Sequence, residues 1–240
     1  MKFLMLLTLN VFASTFNAQV QDLNQTITPS LNNFEVVIGD QIWMKQNLTV
    51  KTFRNGDTIP YVQDAKQWEV AGFEEKPAWC YYDNNAANGD TFGIIYNWYA
   101  VNDPRGLAPE GWHIPTNEEW KLMLENVNYQ EDAIAKYDCC MLKDTSSWKQ
   151  QNPNYNRKQR KNNPICKTIT NSSDFSALPG GMRYYRSYMG KGYQVFWWTA
   201  TEESFYSSYF YELESDCFPI SSDKALSKDC GLYVRCVKDK

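Results

Sequence analysis

The chain has 240 residues, of which 43% are hydrophobic, 15% aromatic and 22% charged, with a formal net charge of −4. That composition excludes a disordered or collagen-like chain, and the acidic balance gives no support to nucleic-acid binding. The single histidine, His113, excludes a multi-histidine metal centre within one chain.

Met1-Lys2, an apolar stretch over 3–16 and then Asn17-Ala18-Gln19 read as a secretory signal peptide, residues 1–18. No comparably apolar stretch follows, so no transmembrane span is expected in the mature chain. No cysteine precedes Cys80, so no lipoprotein cysteine is available. The expected location is secreted, cell-surface or periplasmic. Residues 19–33 are polar and read as an N-terminal arm, leaving 34–240 as a single domain.

Residues 34–38 and 41–45, joined by Gly39-Asp40, predict a hairpin. Asn55-Gly56 predicts a tight turn. Residues 64–71 predict a short helix ended by Gly72, and 78–82 a strand. The apolar-aromatic run 92–101 has no decisive period. Thr116-Asn117-Glu118-Glu119 is a capping box. Trp120, Met123, Leu124 and Val127 then fall on one face, which predicts a helix over 117–126. A second short helix is expected over 131–137. Residues 149–167 hold six cations and no acid, and read as a basic insertion. Strands are expected at 195–199, with Trp197 and Trp198 on opposite faces, at 205–213 and at 231–237. Early strands, central helices and late strands argue an α+β fold.

Asp83, Asn84, Asn85, Asn88 and Asp90 cluster around Gly89. Hard oxygen donors suit calcium, and Asp83, Asn85 and Asp90 are the metal candidates; the same residue types also build turns. No other cofactor is expected. Arg183, Tyr184, Tyr185, Arg186 and Tyr188 form an Arg–Tyr cluster in a glycine-bounded loop, the composition of a binding hot spot, and are the ligand candidates. His113, just before the capped helix, reads as a structural histidine. Export permits disulfides, and seven cysteines leave at least one thiol free. The bridge candidates are Cys80, Cys140, Cys166, Cys217, Cys230 and Cys236.

Several segments together carry a resemblance. They are Ile42-Trp43-Met44-Lys45-Gln46-Asn47-Leu48, Phe53-Arg54-Asn55-Gly56-Asp57, Tyr96-Asn97-Trp98-Tyr99-Ala100-Val101 and Pro109-Glu110-Gly111-Trp112-His113-Ile114-Pro115-Thr116. Further on come Phe175-Ser176-Ala177-Leu178-Pro179-Gly180-Gly181, Trp197-Trp198-Thr199-Ala200-Thr201 and Val234-Arg235-Cys236-Val237. In this order they resemble the Fibrobacter succinogenes major paralogous domain family. More distantly, the chain is similar to the C-type-lectin-like and formylglycine-generating-enzyme-like fold. That implies small twisted antiparallel sheets, one or two helices, long loops and paired terminal strands.

Members of the family commonly place a cysteine before Pro-x-Gly-Trp. Here that position is Ala108, so the resemblance leaves Cys236 needing another partner, for which Cys80 is the candidate. The calcium-and-sugar motifs of true C-type lectins do not occur. The expected function is a secreted, non-catalytic binding module for carbohydrate or protein at or outside the cell surface. The alternatives are a thiol-dependent oxidase-like enzyme using a cysteine pair such as Cys230 and Cys236, or a structural or adhesion component.

Overall fold

Trp43, fully buried, lies in the second strand of a four-stranded sheet whose strands come from both ends of the domain. The computed structural model describes residues 33–127, 139–149, 168–215 and 224–240. The expected signal peptide, the 131–137 helix, nearly all of the basic insertion, Cys166 and Cys217 lie outside the described residues.

Strands β1 (Glu35–Ile38) and β2 (Gln41–Met44) form the expected hairpin, Val36 facing Trp43. Gly39 turns it at φ +58°, a conformation glycine takes without strain. The last strand, β11 (Val237–Lys238), returns to pair with β2 on one side and with β5 (Trp112–His113) on the other. The order is β1-β2-β11-β5.

Helix α1 (Ala65–Phe73) starts where the Asp64 carboxylate accepts from the Lys66 and Gln67 N–H groups. It runs through Gly72, so that glycine packs within the helix instead of ending it. The expected strand at 78–82 shortens to β3 (Trp79–Cys80), because Asp83 and Asn84 take left-handed φ values and curl the chain into a 3₁₀ turn, Tyr82–Asn84. Asn85 then caps α2 (Ala86–Phe92). The ambiguous 92–101 run divides into β4 (Ile95–Tyr96) and α3 (Trp98–Val101). The divider is Asn97, whose side chain caps α3 and also accepts from Ala78 N–H.

Helix α4 (Asn117–Asn126) carries both reciprocal bonds of the predicted capping box. Its Trp120 stacks on Tyr211 at 4.9 Å and lies 4.8 Å from Trp43. The hairpin β6 (Met182–Tyr184)–β7 (Ser187–Met189) follows, then β8 (Gln194–Glu202), β9 (Ser207–Glu214) and β10 (Ala225–Ser227) in a three-stranded sheet. Strand alternation sends Trp197 into one core cluster and Trp198 into the other. The expected strand over 231–237 is a strand only at its end. Gly231, Leu232 and Tyr233 each bridge a different partner, Arg183, Tyr96 and Trp197, so no single ladder forms. The architecture is α+β.

Candidate functional site

The β6–β7 hairpin closes on a two-residue turn, Tyr185-Arg186, between the paired Tyr184 and Ser187. Tyr185 adopts φ +51°, a left-handed conformation costly for a bulky side chain. Arg183, beneath the turn, holds it there.

Arg183 is only 1% exposed. Its Nε donates to the Tyr185 carbonyl, and its terminal nitrogens donate to the carbonyls of Val62, Gln63 and Asp64 and to the Tyr188 hydroxyl. The guanidinium stands 4.3 Å from the Trp68 ring centre, a cation–π contact. It therefore ties the hairpin to the start of α1. Tyr188 is half-buried and donates to Asn84 Oδ1 at 2.8 Å. Burial first, and then the Cys80 thiol, push its pKa up.

The five ligand candidates thus divide. Arg183 and Tyr188 face inward and hold the fold. Tyr184 and Tyr185 are 41% and 43% exposed, with ring centres 4.5 Å apart in an edge-to-face pair. Arg186 is exposed and paired with Glu69 of α1.

Three exposed rings missed by the sequence reading stand on neighbouring segments. Phe73, at the end of α1, is 90% exposed, and Phe205 and Tyr206 occupy the β8–β9 turn. Residues 228–229 link two of these elements: Lys228 N–H donates to the Tyr206 carbonyl and Trp68 Nε1 donates to the Asp229 carbonyl. The available signal was position: Phe205-Tyr206 is flanked by Ser204 and Ser207 in a turn, and Phe73 precedes Glu74-Glu75.

Of the metal candidates only Asn85 is spent on local structure, as are two neighbouring asparagines of the cluster. Asn85 Oδ1 caps α2, Asn84 Oδ1 accepts from Tyr188, and Asn88 Oδ1 accepts from the Lys191 ammonium. Asp83 and Asp90 remain exposed. Among the described residues no group of three or more His, Cys, Asp or Glu is placed to hold a metal.

Cys80, Cys230 and Cys236 are free, buried thiols, which corrects their assignment as bridge candidates and the Cys80–Cys236 pairing. Packing separates that pair: Cys80 belongs to the cluster around Trp68 and Tyr82, and Cys236 to the one around Trp98 and Trp198. Cys230 shares the Cys236 cluster, yet both thiols stay free. Burial pushes Cys230 and Cys236 up to about 12 and also raises Cys80. Cys140 is disulfide-bonded, and so is Cys139, which the sequence reading did not select.

His113 fastens the C-terminus to α4. Its Nε2 lies 2.8 Å from Glu119 and its Nδ1 2.6 Å from Asp239. Burial disfavours the imidazolium, but the two carboxylates outweigh it and the pKa rises. A cavity of about 400 Å³ beside it is lined by Asp40, Gln41, Ile42, Val237 and Lys238, among others. None of those side chains is a nucleophile poised on the imidazole.

The sequence motifs converge elsewhere, in the core. Asn47 Oδ1 accepts from Trp197 Nε1 at 2.8 Å and from Arg235 Nε at 3.2 Å. Asn47 Nδ2 donates to the Phe92 carbonyl, while Arg235 also donates to the Phe175 carbonyl and stacks 4.2 Å over that ring. Burial pulls Arg235 down to about 9. Arg54 donates twice to the Ala108 carbonyl, and Trp98 and Trp198 donate to the carbonyls of Thr199 and Tyr96. Each motif completes another's hydrogen bonds.

Fold and site together define an α+β domain with a motif-built polar and aromatic core and exposed rings at turns and element ends. The chain belongs to the Fibrobacter succinogenes major domain family, whose model matches residues 36–238. No curated protein and no solved structure matches it. Among the described residues no helix is long and apolar enough to cross a membrane.

Proposed function

We propose that the chain is a non-catalytic recognition module, exported from the cell, that binds a carbohydrate or protein ligand through the β6–β7 tip. The observation that carries this reading is Tyr185. An aromatic residue held at left-handed φ, with its ring and that of Tyr184 facing solvent, is backbone strain spent on presenting a contact surface. Paired exposed rings stack on sugar faces or fill the centre of a protein interface. The return of β11 to pair with β2 supports a C-type-lectin-like arrangement, in which turns and loops do the binding.

The thiol-enzyme reading is weaker. A thiolate nucleophile needs a depressed pKa and access, and the described free thiols are buried with raised pKa values. Assembly through those thiols meets the same obstacle. The test is a glycan, polysaccharide and peptide array probed with and without calcium, using wild type and Tyr184→Ala/Tyr185→Ala. Retention of a ligand by wild type that the double variant loses is expected. Equal retention by both would refute the assignment of the tip.

A further inference from the structure

Tyr61 lies flat on Trp79, with ring centres 4.3 Å apart and planes only 17° from parallel. Tyr81 stands beside this pair, 5.2 Å from Trp79 at 79° and 5.7 Å from Tyr61 at 68°. Trp79 is buried, whereas Tyr61 is 43% exposed. Because Trp79 covers one face of Tyr61 and Tyr81 stands at its edge, the exposed surface is the opposite face of the ring.

That face is held in place before anything binds. Trp79 N–H donates to the Pro60 carbonyl and Val62 N–H to the Trp79 carbonyl, which fixes the backbone on both sides of Tyr61. Trp79 Nε1 donates to the Ile59 carbonyl at 2.9 Å, and Arg183 holds the Val62 carbonyl from the interior. Tyr81 is fixed by α2, where a Cβ at Gly89 would meet its ring at 2.2 Å. A ring already immobilised loses little conformational freedom on contact with a ligand.

The rim is polar. Gln63 Nε2 donates to the Tyr61 hydroxyl at 2.7 Å, which leaves that hydroxyl its own proton and Gln63 its carbonyl. The exposed Lys51 ammonium lies 5.4 Å from the Trp79 ring centre and 5.6 Å from that of Tyr81. A flat apolar face bordered by hydrogen-bonding groups is complementary to a pyranose, which carries C–H bonds on its face and hydroxyls on its rim. An apolar peptide side chain would desolvate that rim without replacing its hydrogen bonds.

We infer that the outer face of Tyr61 is a carbohydrate-stacking site. It takes the C–H face of an equatorially substituted pyranose in a β-1,4-linked chain, and Gln63 and the Tyr61 hydroxyl bond the sugar's hydroxyls. The site is separate from the β6–β7 tip and does not rest on it.

The experiment is saturation-transfer NMR of cellohexaose with the full chain, followed by titration for affinity. Wild type is expected to transfer saturation to the axial ring protons of the sugar. Tyr61→Ala is expected to weaken binding by about tenfold or more, while Tyr61→Phe, which keeps the face, stays within about threefold. Glu125→Gln on helix α4 should leave binding unchanged. No transfer in wild type, or undiminished affinity in a folded Tyr61→Ala, would overturn the site. Should Tyr61→Ala fail to fold, the exposed Gln63→Ala takes its place: a loss of about threefold or more is expected, and none would overturn the site. Binding of cellohexaose lost in Tyr184→Ala/Tyr185→Ala but kept in Tyr61→Ala would refute this inference and leave the recognition reading standing. Binding lost in Tyr61→Ala but kept in the tip variant would establish this site even if the tip binds nothing.

Discussion

The Arg183 guanidinium lies 4.3 Å from the centre of the Trp68 ring, joining a strained hairpin tip to the helix behind it. Arg183 was selected as a ligand-binding residue because arginine and tyrosine alternate there in sequence. The fold instead uses it as the internal support of the tyrosines it adjoins. Arg183→Met would leave the carbonyls of Val62 and Tyr185 without that donor and take one of two donors from the carbonyls of Gln63 and Asp64. A loss of about 2–4 kcal/mol in chemical denaturation is expected. Arg183→Lys should recover little of it, since one ammonium cannot reproduce the planar fork of donors.

The buried node at Asn47 predicts a similar cost for a different reason. Asn47→Leu removes the acceptor shared by Trp197 and Arg235 and strands a buried arginine that has no counter-ion among the described residues. A loss of about 2–4 kcal/mol is expected. An unchanged denaturation midpoint would show that the node contributes little to stability.

The hairpin β1–β2, the capped helix α4 and the opposed faces of Trp197 and Trp198 were legible in the sequence, because each depends on local rules: turn residues, a reciprocal cap, a two-residue period. The end of the chain was not. Residues 231–233 are apolar and look like a strand, but they bridge three separate partners, a tertiary arrangement with no local signature. For the candidate site, an Arg–Tyr cluster in a glycine-bounded loop is legible, but neither the hairpin it forms nor which of its side chains turn inward. Whether Arg183 points in or out depends on the carbonyls of Val62, Gln63 and Asp64, just before α1 and more than a hundred residues earlier.

His113 gives a pH dependence with a definite sign. Its pKa is raised above 6.5 in the folded state, so its contribution is fully present below about pH 6.5 and lost as pH rises through the folded value. Glu119 is held below its usual 4.5 by the Thr116 N–H and His113, which outweigh burial. Its contribution is present above 4.5 and lost as pH falls through that lowered value. The clamp is strongest between these limits. In Tm measured across pH, His113→Gln should abolish the decline on the alkaline side, and a parallel profile for both proteins would contradict this.

Thiol labelling of the native protein should leave Cys80, Cys230 and Cys236 unmodified until denaturant is added, because burial both blocks reagent and disfavours the thiolate. Rapid native labelling of Cys230 or Cys236 would reopen the thiol-enzyme reading.

The most direct test of the recognition reading is calorimetric titration of a ligand retained on the array into wild type and into Tyr184→Ala/Tyr185→Ala, with Tm measured for both. The predicted result is a loss of affinity of about tenfold or more at little change in Tm, as expected when exposed rings serve contact more than packing. Unchanged affinity in a folded double variant would contradict it.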